Sequence, residues 1–221
     1  MSRAVAVLRP EPGNAATVAR VEAAGLTAIL LPLFAVHALD WTPPDPAGFD
    51  ALILTSANGP RLAGPSLDAF AHLPVFAVGP ATAAAARKHG LTVSETGERD
   101  GADLVATMAT RGFSRALLLA GREHALHDGG IIARSVAVYA ADPLPVDARA
   151  IDALTGSVAL LHSARAARRF ADIVGDVRAS IRLAAISPSV AEAAGPGWAD
   201  IATAPLPDDA ALIALARRLA D

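Results

Sequence analysis

Along most of the chain, short runs of wholly apolar residues alternate with Ala-rich stretches of helical spacing. Strands buried on both faces lose the usual polar alternation, so this is the rhythm of βαβ units in a parallel sheet. It predicts strands at Ala4–Leu8, Ala28–Leu31, Ala51–Leu54, Ala116–Leu119, Arg134–Tyr139, Val158–Leu161, Leu183–Ile186 and Ile201–Thr203. LPVFAVGPATAAAARKHGLTV (73–93) reads as strand, tight turn, helix and strand. Between these runs lie predicted helices. One is capped by Asn14 and stopped at Gly25, one starts near Gly59, and others cover Asp103–Thr110, Ala164–Ile173, Ser189–Ala194 and Asp208–Ala220.

The rhythm breaks twice. Leu33–Trp41 reads as irregular and runs into TPPDPAG (42–48), and DPLPVD (142–147) is a second proline-rich interruption. The first 36 residues hold two strands, too few to bury a core, so they are expected to join the third segment. The expected organisation is a discontinuous lobe of 1–36 plus 148–221 and a second lobe of 42–140, with crossings at 37–41 and 141–147. Each lobe is α/β, a doubly wound parallel sheet of flavodoxin- or Rossmann-like type. A repeat supports two similar lobes. DALILTSANGPRLAG (50–64) aligns with SVALLHSARAARRFA (157–171), and the turn at Gly79 recurs at Ser187 with nearly the same offset. A period this long indicates a duplicated domain, not a solenoid.

The repeated turns TSAN, GPAT, HSAR and SPSV each follow a strand and open a helix. In open parallel sheets ligands bind beyond the carboxyl ends of strands, and free N–H groups with the helix dipole favour anions there. Ser56, Asn58, Gly79, Thr82, Ser163, Ser187 and Ser189 are therefore candidate binding residues. Taken singly, each turn is also an ordinary capped helix start. Two lobes facing each other would supply four such ends around one cleft. The chain has no GxGxxG after a strand, no GxxxxGK[ST] and no GxSxG, which removes the dinucleotide, P-loop and hydrolase readings.

Composition narrows this further. At 221 residues and 53% apolar the chain can bury a large core, and 4% aromatics disfavour a β-sandwich. There is no cysteine, so disulfides, thiolate metal sites and cysteine nucleophiles are excluded. A net charge of −3, with its arginines dispersed, gives no nucleic-acid footprint. No apolar run is long enough to span a membrane and the N-terminal apolar run is too short for a signal peptide, so a cytoplasmic protein is expected. His124-x-x-His127-Asp128 matches no zinc spacing, and no metal site is expected. His162 stands at a strand end, where it either lines the site or is an ordinary satisfied histidine. Tyr139 is the single tyrosine, at the end of a strand just before the second proline-rich crossing.

AVAVLRPEPGNAATVARVEAAGLTAILLPLFAV, ALILTSANG, FAVGPATAAAARKHGLTV, RALLLAGRE, VAVYAA, VALLHSARAARRF and AAISPSVAEAA occur in this order over nearly the whole chain. The ordered set resembles the uroporphyrinogen-III synthases. The resemblance implies two α/β lobes joined by a two-stranded linker. It also implies a cofactor-independent lyase that closes hydroxymethylbilane to uroporphyrinogen III with ring D inverted and water lost. It puts Tyr139 at the family's tyrosine, a proton donor to the leaving hydroxyl. Thr82 matches the threonine of the family's GxxT turn, and Arg9 and Gly121 join the binding residues from the matched segments. The implied partners are the linear tetrapyrrole and, transiently, the preceding pathway enzyme. Two departures stand out. Val190 replaces the Thr or Ser frequent at the fourth position of the second turn, and the helix usual after Gly121 is missing, so 121–130 is expected as a loop. The alternative, from another class, is a non-catalytic two-lobed protein binding a small polyanion, a degenerate relative of the family.

Overall fold

The computed structural model describes residues 2–97 and 100–221. The chain enters through β1 (Val5–Val7), α1 (Gly13–Ala23) and β2 (Ala28–Leu30), and leaves by β3 (Phe34–Ala38). There follow β4 (Ala51–Leu54), α2 (Asn58–Leu62), β5 (Val75–Val78), α3 (Pro80–Lys88), β6 (Val93–Gly97), α4 (Gly101–Thr110) and β7 (Ala116–Gly121). The long β8 (Ile132–Pro143) leads back to α5 (Ala148–Asp152), β9 (Val158–Leu161), α6 (Ala164–Ile173), β10 (Arg182–Ala185), α7 (Pro188–Ala194), β11 (Asp200–Thr203) and α8 (Asp209–Ala220). Two compact units result: Met1–Ala35 with Asp142–Asp221, and Val36–Ala141. Among the described residues no helix is long and apolar enough to cross a membrane.

The sheet of the discontinuous unit runs β11-β10-β9-β1-β2, parallel throughout. The other runs β3-β8-β7-β4-β5-β6, parallel from β8 to β6. Taken in the order β9, β10, β11, β1, β2, the first unit repeats the spatial order of β4 to β8. The two sheets are thus one arrangement, circularly permuted. In each, the strand order reverses at one point: between β9 and β1, and between β4 and β7.

Binary patterning explains the layers. β4 is buried along its whole length. Leu52 and Leu54 pack with Leu67, Phe70, Ala86 and Leu91 on one face, while Ala51 and Ile53 pack with Phe76, Leu104 and Met108 on the other. In the discontinuous unit Val5, Val7, Val158 and Leu160 meet Val18 and Val21 of α1 and Leu212 and Ala216 of α8. α1 ends in a Schellman turn, with Gly25 at φ 77°, Gly25 N–H donating to Glu22 O and Leu26 N–H to Val21 O.

Several expectations need correcting. Leu33–Trp41 is not irregular, because Phe34–Ala38 forms β3 along β8. Leu39 N–H donates to Val138 O and Leu144 N–H to Leu33 O, so β3 and β8 run antiparallel as a two-stranded ribbon. Its partner lies a hundred residues away, which local pattern does not reveal. β8 also extends well past the expected Arg134–Tyr139. Asn14 does not cap α1. It is fully buried, and its Nδ2 donates to the carbonyls of Val7 and Arg9, tying the end of β1 to the helix. The short α5 was not anticipated.

The loop expected after Gly121 is present: residues 122–131 contain no helix. Leu126 and Ile131 nevertheless pack against the Ile53–Phe76–Leu104–Met108 cluster. The Leu126 methyl lies over the α-carbon of Gly101, where an added Cβ would come within 2.9 Å. The loop thus supplies apolar cover on the face where a crossover helix would lie.

Candidate functional site

In the unit of residues 36–141, the turns after β5, β4 and β7 share one sheet edge. After β4, Ser56 Oγ accepts from Asn58 N–H at 3.2 Å, and Ser56 O from Gly59 N–H at 3.0 Å. After β5, Gly79 takes φ 80° and Pro80 opens α3 with its fixed φ. Thr82, two residues on, is 4% exposed, so its side chain packs inward. Val190, at the matching place in α7, is 6% exposed. The departure from Thr to Val therefore falls at a position both units bury.

At the end of β7, Gly121 pairs with Tyr139 of β8. A Cβ on Gly121 would lie 2.8 Å from the Tyr139 Cε2 and Cζ and 3.0 Å from its Oη. The half-buried ring thus rests on the glycine, and only a residue without a side chain accepts it there. Arg122 N–H donates to Tyr139 O at 2.8 Å, and Gly121 O lies 2.8 Å from His124 Nδ1. Two residues that the resemblance singles out thus meet at the end of β7, the strand that borders this unit's switch point.

In the discontinuous unit the corresponding edge carries Arg9 after β1, His162 and Ser163 after β9, and Ser187 and Ser189 after β10. Ser163 caps α6, its Oγ accepting from Ala166 N–H at 3.2 Å. Ser187 and Ser189 hydroxyls lie 3.1 Å apart, exposed. Arg9 and His162 flank the switch point, and Asp209 at the start of α8 joins them. Its carboxylate accepts from His162 Nε2 at 2.8 Å, Arg20 Nη1 at 2.6 Å and Thr17 Oγ1 at 3.0 Å, with Arg9 Nη1 at 3.6 Å. Burial, partly opposed by the hydrogen bond to Asp209, holds the His162 imidazole below its ordinary value and therefore neutral at pH 7. Burial pushes the Asp209 carboxyl up, but hydrogen bonds from His162, Arg20 and Thr17 outweigh this and keep it well below the ordinary carboxylate value.

Sequence reasoning noticed His162 but missed Asp209, which stands beside Asp208 and reads as part of the cap. Asp208 alone does the capping, accepting from Ala211 N–H at 2.8 Å. A second aspartate at a helix start was the available signal. Among the described residues no group of three or more His, Asp or Glu side chains could hold a metal ion. His124 and His127 stand with ring centroids 5.8 Å apart.

The family model described as uroporphyrinogen-III synthase HemD matches residues 15–214 of the chain. Among solved structures, the uroporphyrinogen-III synthetase of Helicobacter pylori is similar with a TM-score of 0.64 at 17% identity, covering 98% of this chain and 99% of that one. A mutant uroporphyrinogen III synthase of Thermus thermophilus is similar with a TM-score of 0.59 at 18% identity, covering 98% of each chain. At these identities the likeness to solved structures speaks to the fold. No curated protein sequence matches the chain.

Proposed function

Because the chain belongs to the uroporphyrinogen-III synthase family, we propose that it closes hydroxymethylbilane to uroporphyrinogen III, inverting ring D and releasing one water. Beyond family membership, the observation that carries this reading is the Tyr139 ring resting on Gly121 at the carboxyl end of β7, the strand that borders this unit's switch point. That is where an open parallel sheet receives its ligand. The Tyr139 phenol gives a proton to the substrate's terminal hydroxyl, which departs as water and leaves an azafulvene-like cation. A spiro intermediate then re-forms the macrocycle with ring D reversed. The proton lost on final aromatisation restores the phenol. A phenol is a modest acid, so much of the acceleration comes from holding a flexible chain in its closing geometry. The net change is a dehydration with no change in oxidation state, so it requires no oxidant or reductant.

The substrate's carboxylates meet the helix-opening turns. Ser56, Asn58, Gly79 and Thr82 serve in one unit, and Arg9, Ser163, Ser187 and Ser189 in the other, with Gly121 giving room for the Tyr139 ring. Backbone donors at helix starts bind anions without a basic protein, in keeping with the net charge of −3. The instability of the linear substrate favours a cytoplasmic setting and transient contact with the enzyme that makes it. The test is turnover of enzymatically generated hydroxymethylbilane by the purified protein, with products separated by isomer. Substrate binding without turnover would instead support the non-catalytic polyanion-binding reading.

A further inference from the structure

Asp209 holds a position its fold does not demand. The matching helix of the other unit, α4, opens in the same way: Asp100 caps it by accepting from Asp103 N–H at 2.9 Å, and the next residue is Gly101. In α8 Asp208 makes that cap, yet the next residue is a carboxylate whose side chain is 16% exposed. A largely buried carboxylate is costly unless paired and hydrogen-bonded. Asp209 is engaged by α1 through Thr17 and Arg20, and by the end of β9 through His162.

Arg9 is the other half of the arrangement. Its backbone carbonyl is held by buried Asn14 at 2.9 Å. Its guanidinium lies across the α-carbon of Gly13, where a Cβ would come within 2.5 Å of Nε. Nη1 donates to Thr17 Oγ1 at 3.3 Å, and the same hydroxyl reaches Asp209. The side chain remains 34% exposed, enough to meet a ligand at the strand end.

We propose that Asp209 is a positioning residue that acts through Arg9: with Thr17 and the berth over Gly13, it fixes the guanidinium at the β1–β9 switch point so that Arg9 receives a substrate carboxylate. This rests on the reading of Arg9 as a substrate contact. An arginine fixed in advance loses less freedom when it binds, so the contribution falls on affinity and not on the chemical step.

The test compares wild type, Arg9→Gln, Asp209→Asn and the double variant, with Thr17→Val as a milder disturbance if Asp209→Asn folds poorly. Steady-state turnover of hydroxymethylbilane reads KM and kcat separately. The Arg9 Nε–H resonance, assigned by its loss in Arg9→Gln, reads side-chain order without substrate. Asp209→Asn is expected to raise KM about tenfold, the scale of one weakened charge-assisted hydrogen bond, with kcat nearly unchanged. The double variant should be no worse than Arg9→Gln alone, Thr17→Val should raise KM less, and the Arg9 resonance should shift and broaden in both Asp209→Asn and Thr17→Val. An unchanged KM, additive effects in the double variant, or an unmoved Arg9 resonance would overturn the inference. If wild type shows no turnover, the functional reading fails on that arm, while the resonance still decides whether Asp209 orders Arg9.

Discussion

Under the proposed function, Tyr139 supplies the proton and Gly121 seats its ring. Tyr139→Phe keeps the ring and its packing but removes the hydroxyl. General acid catalysis is worth typically 10²–10⁴-fold, so kcat should fall by about that range with KM and folding preserved. Gly121→Ala reaches the same ring by crowding, because its Cβ would stand 2.8 Å from Tyr139. It should lower both activity and stability, the latter by about 1–3 kcal/mol, as over-packing does. In a Tyr139→Ala background the alanine should cost little stability, a non-additivity that urea unfolding would detect. A wild-type rate in Tyr139→Phe would make water or a substrate carboxylate the acid.

The buried pair His162–Asp209 makes a pH prediction at the same scale. Burial lowers the His162 pKa from its ordinary 6.5, so below that pH the unfolded chain takes up a proton the folded chain resists. Stability is therefore full above about pH 6.5 and declines on acidification. Asp209, held below its ordinary 3.8, adds stabilisation that is present above that value and lost as pH falls further. The charged neighbours of the pair are Arg9 and Arg20. His162→Gln keeps an N–H for Asp209 but cannot titrate. The drop in urea midpoint from pH 7 to 5.5 should thus be smaller in this variant than in wild type, and equal drops would remove His162 as the cause.

Among the elements, the loop 122–131 is the departure with most physical content. A parallel crossover ordinarily brings a helix, and here a few apolar side chains take over its covering role. Leu126→Ala should cost about 1–2 kcal/mol, less than a fully buried leucine because Leu126 is only partly covered. Thermal unfolding measures this, and an unchanged midpoint would show that the loop is not part of the core. The loop was legible because Gly129-Gly130 and a gap of about a dozen residues leave no room for a helix. β4, β9 and α6 were equally legible, since uniform burial and a capping Ser163 are local signals. β3 was not, because its partner β8 is remote and the prolines after it suggested irregularity. Asn14 misled for a similar reason: the residue type of a cap was present, but its amide is used inward. At the candidate site the turn residues were visible, whereas Asp209 required knowing that α8 starts beside α1 and the end of β9.

For the whole molecule, one sheet order serves both units, with the discontinuous unit a circular permutation of the other. Each unit has a switch point: Arg9 and His162 flank one, and Gly121, beneath the Tyr139 ring, ends a strand that borders the other. The proposed activity is read most simply from the isomer ratio of uroporphyrinogen formed from freshly generated hydroxymethylbilane, with and without the purified protein. Predominantly isomer III is expected in its presence, at a rate proportional to protein concentration, against isomer I from uncatalysed closure. Unchanged isomer I at every protein concentration would contradict it.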